Sequence, residues 1–131
     1  MNSKDLDIID TKKMCQTYDN WPEIAEKSFL ENVKKFESKN IDHIVYCGMG
    51  GSGSIGDILT AILSTNDIHV TNVKGYLLPK TVDKKTLVVC ISISGNTQET
   101  ITVLESASKK PCKVISFSSG GKIKEYSMNN N

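Results

Sequence analysis

Arginine is absent from this chain: all 16 basic residues among its 131 are lysines. Without a guanidinium fork, any anion site must be built from backbone N–H groups, hydroxyls or lysine ammoniums. A net charge is nearly absent as well, at +1, which removes the usual electrostatic case for nucleic acid as a partner. No apolar run approaches membrane length, and the opening MNSKDLDIIDTKK holds no hydrophobic signal region. The expectation is a cytoplasmic protein with no membrane partner. The cysteines Cys15, Cys47, Cys90 and Cys112 make no C-x-x-C pair. They read as small apolar residues of a reducing compartment, with no metal or disulfide role. What is present is ordinary for a globular chain, 38% hydrophobic and 24% charged, too apolar and too neutral for disorder. The length suits one domain.

Residues 1–19 are polar and mixed and read as an irregular arm, so the folded domain is expected over 20–131. Asn20-Trp21-Pro22-Glu23 has the form of a helix start, an N-cap followed by proline and an early acid. Trp21, Ala25, Phe29, Val33 and Phe36 continue it at helical spacing as a stripe suited to core packing. His43–Cys47 is a short apolar run ending in glycines, the pattern of a strand buried on both faces of a parallel sheet. After it, Ile55, Ile58, Leu59, Ile62 and Leu63 give a clean helical period. His69–Lys74 is a weaker second strand, Thr86–Ile91 a strong third and Lys113–Phe117 a fourth. A helix is expected over 97–109, and a last helical piece follows Gly120-Gly121. Alternating strands and helices imply a three-layer α/β/α fold around a parallel, flavodoxin-like sheet. Its order is expected to be 2-1-3-4-5 or a four-stranded part of it.

Two loops leave strands and open helices: Gly48-Met49-Gly50-Gly51-Ser52-Gly53 and Ser92-Ile93-Ser94-Gly95-Asn96-Thr97. Glycine lets the backbone approach a ligand, and the free N–H groups of the following helix favour an anion. Hydroxyls of Ser52, Ser92, Ser94 and Thr97 add donors, so a phosphate can be held without arginine. In a sheet of this order the two loops flank the switch point where such folds bind ligands. Each loop also has a plain structural reading, as a tight turn or with Asn96 or Thr97 as an N-cap. Gly48-x-Gly50-x-x-Gly53 formally fits a dinucleotide fingerprint, but the second strand ends in Asn72-Val73-Lys74-Gly75 with no ribose-binding acid. No G-K-[ST] follows the glycines, which excludes a P-loop.

At these residues the chain resembles a sugar isomerase (SIS) domain, and more narrowly the N-terminal half of the bifunctional phosphoglucose/phosphomannose isomerases. The motifs are Cys47–Asp57 (CGMGGSGSIGD), Ser92–Thr100 (SISGNTQET) and Ser118–Ile123 (SSGGKI). The resemblance implies interconversion of glucose 6-phosphate or mannose 6-phosphate with fructose 6-phosphate through an enediol, without metal or cofactor. It implies phosphate binding by Gly51, Ser52, Ser92, Ser94 and Thr97. Gly50, Gly95, Asn96 and Lys122 are candidates for positions near the sugar. Family members have two SIS halves and take their proton-shuttling glutamate and ring-opening histidine from the second, so no catalytic base carries over. The chain alone is expected to be inactive. Glu99 is the local candidate for a base, with a first-turn acid favoured by the helix dipole as its plain reading. His43 and His69 fall at the far end of their strands and read as structural. Expected partners are a 6-phospho sugar and either a second copy or a second SIS domain. A sugar-phosphate sensor remains the alternative, although no DNA-binding module is visible in residues 1–40.

Overall fold

The strands form where β-branched residues cluster and pack on both faces of a pleated sheet. A computed structural model describes residues 8–31 and 38–129. The chain divides into two compact units, Met1–Glu37 and Ser38–Asn131. The second contains β1 (His43–Gly48), α3 (Gly51–Leu63), β2 (His69–Val73), β3 (Thr86–Ile91), α4 (Gln98–Ala107), β4 (Lys113–Phe117) and α5 (Gly121–Asn129). All strand pairs are parallel, in the order β2-β1-β3-β4, a four-stranded part of the expected arrangement. Between β2 and β3 the chain crosses without a helix; residues 74–85 are irregular and bury Val82.

α3 packs on β1 and β2, α4 on β3 and β1, and α5 on β4. With right-handed crossovers, stepping outward from β1 to β2 and from β3 to β4 sends α3 and α4 to opposite faces. Val45, Cys47, Val88, Cys90, Val103, Leu104 and Ile123 are almost fully buried. Each large aliphatic side chain among them contributes about 1.5–3 kcal/mol by leaving water. The helices reach the sheet differently. α4 buries Ile101, Val103, Leu104 and Ala107. α3 buries only Gly53 and Gly56, and leaves Ile55, Ile58 and Ile62 exposed. A Cβ at Gly56 would lie 2.6 Å from the Tyr46 ring, so glycine is what permits this close approach.

The first unit differs from expectation in two ways. Met14–Asp19 is a helix, α1, within the stretch read as an irregular arm. Its first turn is held by Asp10, whose carboxylate accepts from Met14 N and Cys15 N, each at 2.7 Å. Those bonds to Cys15 and Met14 hold the Asp10 carboxyl below its ordinary range. The next helix, α2 (Trp21–Leu30), starts at Asn20 as expected, but Asn20 makes no side-chain cap bond. None of its residues is buried, so Trp21 and Phe29 do not enter a core as the stripe suggested. Trp21 instead meets the Tyr18 ring edge-on at 4.7 Å. Val33 and Phe36 lie outside the described residues. The helix falls in the first of the two units.

Candidate functional site

Gly48 and Ile91 are register partners at the carboxyl ends of β1 and β3. The glycine loop and the serine loop therefore leave the sheet side by side. α3 begins at Gly50 with φ 55° and ψ −129° and has no side-chain cap. Its first turn is tied to β1 by Tyr46, whose hydroxyl donates to Ser52 O at 3.0 Å. Gly50 and Gly51 are exposed and Ser52 is half-buried.

In the serine loop, Ser92 is the hub. It is 3% exposed, and its hydroxyl lies 2.8 Å from Thr97 Oγ1 and 3.5 Å from Ser94 Oγ. Gly95 N donates to Ser92 Oγ at 3.1 Å, and Asn96 N donates to Ser94 Oγ at 3.3 Å. Thr97 is the N-cap residue of α4, yet its side chain makes no cap bond. Its hydroxyl turns back to Ser92, so the opening N–H groups of α4 receive no side-chain acceptor. Two helix starts, both uncapped, thus stand over adjoining strand ends. Orphan N–H groups and the helix dipole make such a place receptive to an anion.

The third motif does something the sequence did not reveal: it clamps the serine loop. Ser119 N and Ser119 Oγ both donate to Ile93 O. Ile123 N donates to Gly95 O at 3.1 Å, and Lys122 N to Asn96 Oδ1 at 3.2 Å. Gly95 sits at φ 67°, and a Cβ there would overlap the carbonyl oxygen of Gly120. Only glycine satisfies both the left-handed backbone and the contact. Asn96 is therefore engaged as a cap of α5, while its amide nitrogen makes no bond among the described residues. The Lys122 side chain is exposed and lines a groove between α4 and α5 with Ile101, Leu104 and Tyr126. This clamp spans 26 residues, and no local pattern signals it.

Cys47 and Cys90 face each other as register partners, buried under the two loops. Their shared hydrogen bond and burial keep Cys90 in the thiol form. At Cys47 the bond with Cys90 lowers the pKa, while burial and the Glu99 carboxylate raise it. Glu99 is half-buried in the first turn of α4. The histidines are elsewhere. His43 Nε2 is 2.9 Å from Thr71 Oγ1, and the His43 and His69 rings stack 5.2 Å apart at the amino end of the sheet.

The family model for the SIS domain matches residues 37–127. This chain belongs to the SIS domain family. It is 37% identical over 117 residues to the bifunctional phosphoglucose/phosphomannose isomerase of Caldicellulosiruptor bescii, covering 86% of this chain and 34% of that protein. It is 34% identical over 113 residues to the D-glucosamine-6-phosphate 4-epimerase of Sulfolobus acidocaldarius, covering 86% and 35%. The SIS fold superposes on a candidate phosphosugar isomerase of Clostridium difficile 630 with a TM-score of 0.57 and 26% identity, covering 66% of this chain and 27% of that one. The chain thus spans about a third of the length of the curated relatives it matches.

Proposed function

We propose that this SIS domain holds the phosphate of a 6-phospho sugar for an isomerase interconverting glucose 6-phosphate or mannose 6-phosphate with fructose 6-phosphate. The observation that carries the reading is the uncapped start of α4 beside the joined hydroxyls of Ser92, Ser94 and Thr97. Gly51 N and the Ser52 side chain approach the same phosphate from the glycine loop. Hydroxyls and peptide N–H groups supply the directed donors that a chain without arginine needs. Gly50 and Gly95 border the sugar, Asn96 is committed to the start of α5 by its bond from Lys122 N, and the Lys122 side chain lies at the outer margin.

Isomerisation moves a proton between neighbouring carbons through an enediol, so it needs a base beside the substrate carbon. Glu99, the acid in the first turn of α4, is the local candidate. Groups from a second SIS domain, or from a second copy, complete the reaction, so the isolated chain binds without turnover. The names of the relatives share a phosphorylated hexose and differ in the chemistry done on it, which supports the phosphate end of this reading most directly. No metal or cofactor is needed for the proton transfer, and the cytoplasm is its setting.

Calorimetric titration with fructose 6-phosphate tests the reading, with fructose, inorganic phosphate and NAD as controls. Saturable binding that fails for fructose and is lost in Ser94→Ala is expected. Binding of NAD without the phosphosugar would overturn it in favour of a dinucleotide site.

A further inference from the structure

The opposite end of the sheet carries a second, differently built feature. β1, β3 and β4 are parallel, so the segments preceding them meet at the amino ends of the strands. Register pairs His43 with Thr86 and Leu87 with Lys113, which brings residues 39–42, 84–85 and 113 together. They line an open cleft of about 610 Å³ whose walls are Lys39, Asn40, Ile41, Asp42, Lys84, Lys85 and Lys113. Four lysines face one carboxylate there. That carboxylate, Asp42, is taken by Lys85 at 3.0 Å. Lys113 Nζ donates to Ser38 Oγ at 2.9 Å. Nearby Asp83 is exposed, and its carboxylate accepts from Lys85 N at 2.9 Å and from Thr86 Oγ1 at 3.1 Å. Among the described residues, Lys39 and Lys84 enter no ion pair.

Like charges gathered in one concavity repel one another, and an anion in their midst removes that cost. The cleft volume falls within the roughly 300–1,000 Å³ of small-molecule sites. Ammonium groups on flexible stems are point charges with no fixed fork. They suit a ligand whose negative charge is spread over several groups better than a single planar carboxylate. We infer that this lysine cleft is a second anion site, one that takes a small polyphosphate chain, either free or carried by a nucleotide. β1 separates it from the glycine loop by about 20 Å, at ~3.3 Å per residue. It is therefore independent of the phosphosugar reading.

The test is a titration of the ¹⁵N-labelled chain with inorganic triphosphate, and in parallel with ATP, followed residue by residue by NMR. Saturable shifts at Lys39, Asp42, Lys84, Lys85 and Lys113 are expected. The triple variant Lys39→Gln/Lys84→Gln/Lys113→Gln keeps the Asp42–Lys85 pair and should weaken triphosphate binding roughly tenfold, since each exposed charge contributes modestly. Its amide resonances away from the cleft should keep their parental positions, which reports that the variant is folded. Equal affinity for ATP and triphosphate assigns the phosphate chain as the ligand, and tighter ATP binding assigns the nucleotide. Shifts confined to residues 50–53 and 92–97, shifts that never saturate, or parental affinity in the folded triple variant would each overturn the inference.

Discussion

α4 and α5 start within a few ångströms of the same loop, and only one of them is open. The first turn of α5 is occupied: Asn96 Oδ1 accepts from Lys122 N, and Gly95 O accepts from Ile123 N. α1 is likewise filled, by the Asp10 carboxylate. At α4 the residue in the capping position, Thr97, gives its hydroxyl to Ser92 instead. A threonine at an N-cap ordinarily satisfies one of the orphan N–H groups. Here that contribution is withheld where an incoming anion would supply it. The difference separates a helix start satisfied by side chains and backbone of this chain from one with no side-chain cap.

Gly95→Ala should break the comparison most severely, because the new Cβ meets Gly120 O and the backbone is left-handed. The expected cost is about 3 kcal/mol or more, read by denaturant unfolding, together with loss of fructose 6-phosphate binding. Near-parental stability would show that the clamp between the two loops is dispensable. Ser92→Ala comes next. It removes the buried acceptor of Gly95 N and the partner of Thr97 Oγ1, for about 1–3 kcal/mol, and should weaken phosphosugar binding roughly tenfold or more. Asn96→Ala uncaps α5 and should cost about 1 kcal/mol, with the phosphosugar dissociation constant rising by less than about threefold. A much larger loss of affinity would place Asn96 on the sugar and erase the distinction between the two helix starts.

The smallest effect is a pH dependence away from these loops. Burial, and then the neighbouring His69, lower the pKa of His43 from its ordinary 6.5, against the opposing pull of Asp83 and Asp42. The unfolded chain therefore takes up this proton more readily than the folded one. Stability should be unaffected by this group above pH 6.5 and decline as the pH falls through that value, levelling once folded His43 also protonates. The decline should shrink in His43→Gln, measured by thermal unfolding across that range. An equal decline in the variant would assign the acid sensitivity to other groups.

The strands were legible because a buried parallel strand is a short, nearly unbroken apolar run bounded by turn residues, a pattern that little else in a globular chain produces. β3 and β4 occupy Thr86–Ile91 and Lys113–Phe117, as their apolar runs predict. The serine cluster was legible for the same local reason: Ser92, Ser94 and Thr97 lie within one turn of chain. Two things were hidden. The isoleucines of α3 announce a helix, yet its buried residues are Gly53 and Gly56, because the Gly48 carbonyl at the first and Asn72 and Tyr46 at the second leave no room for a side chain. Periodicity finds the helix and mistakes which face is inside. The stripe of α2 has the same ambiguity, since spacing shows an apolar side without showing what covers it. The clamp of Ser118–Ile123 onto the serine loop joins residues distant in sequence, and motif spacing carries no record of such a contact.

The network around Ser92 has one more consequence. Its members are hydroxyls and peptide groups, so it gathers dipoles and no net charge. Dissolved ions screen charges over about 8–10 Å at physiological strength, but they weaken short, directed hydrogen bonds far less. A ligand held this way would stay bound as ionic strength rises, while one held by the lysines at the far end of the sheet would be released.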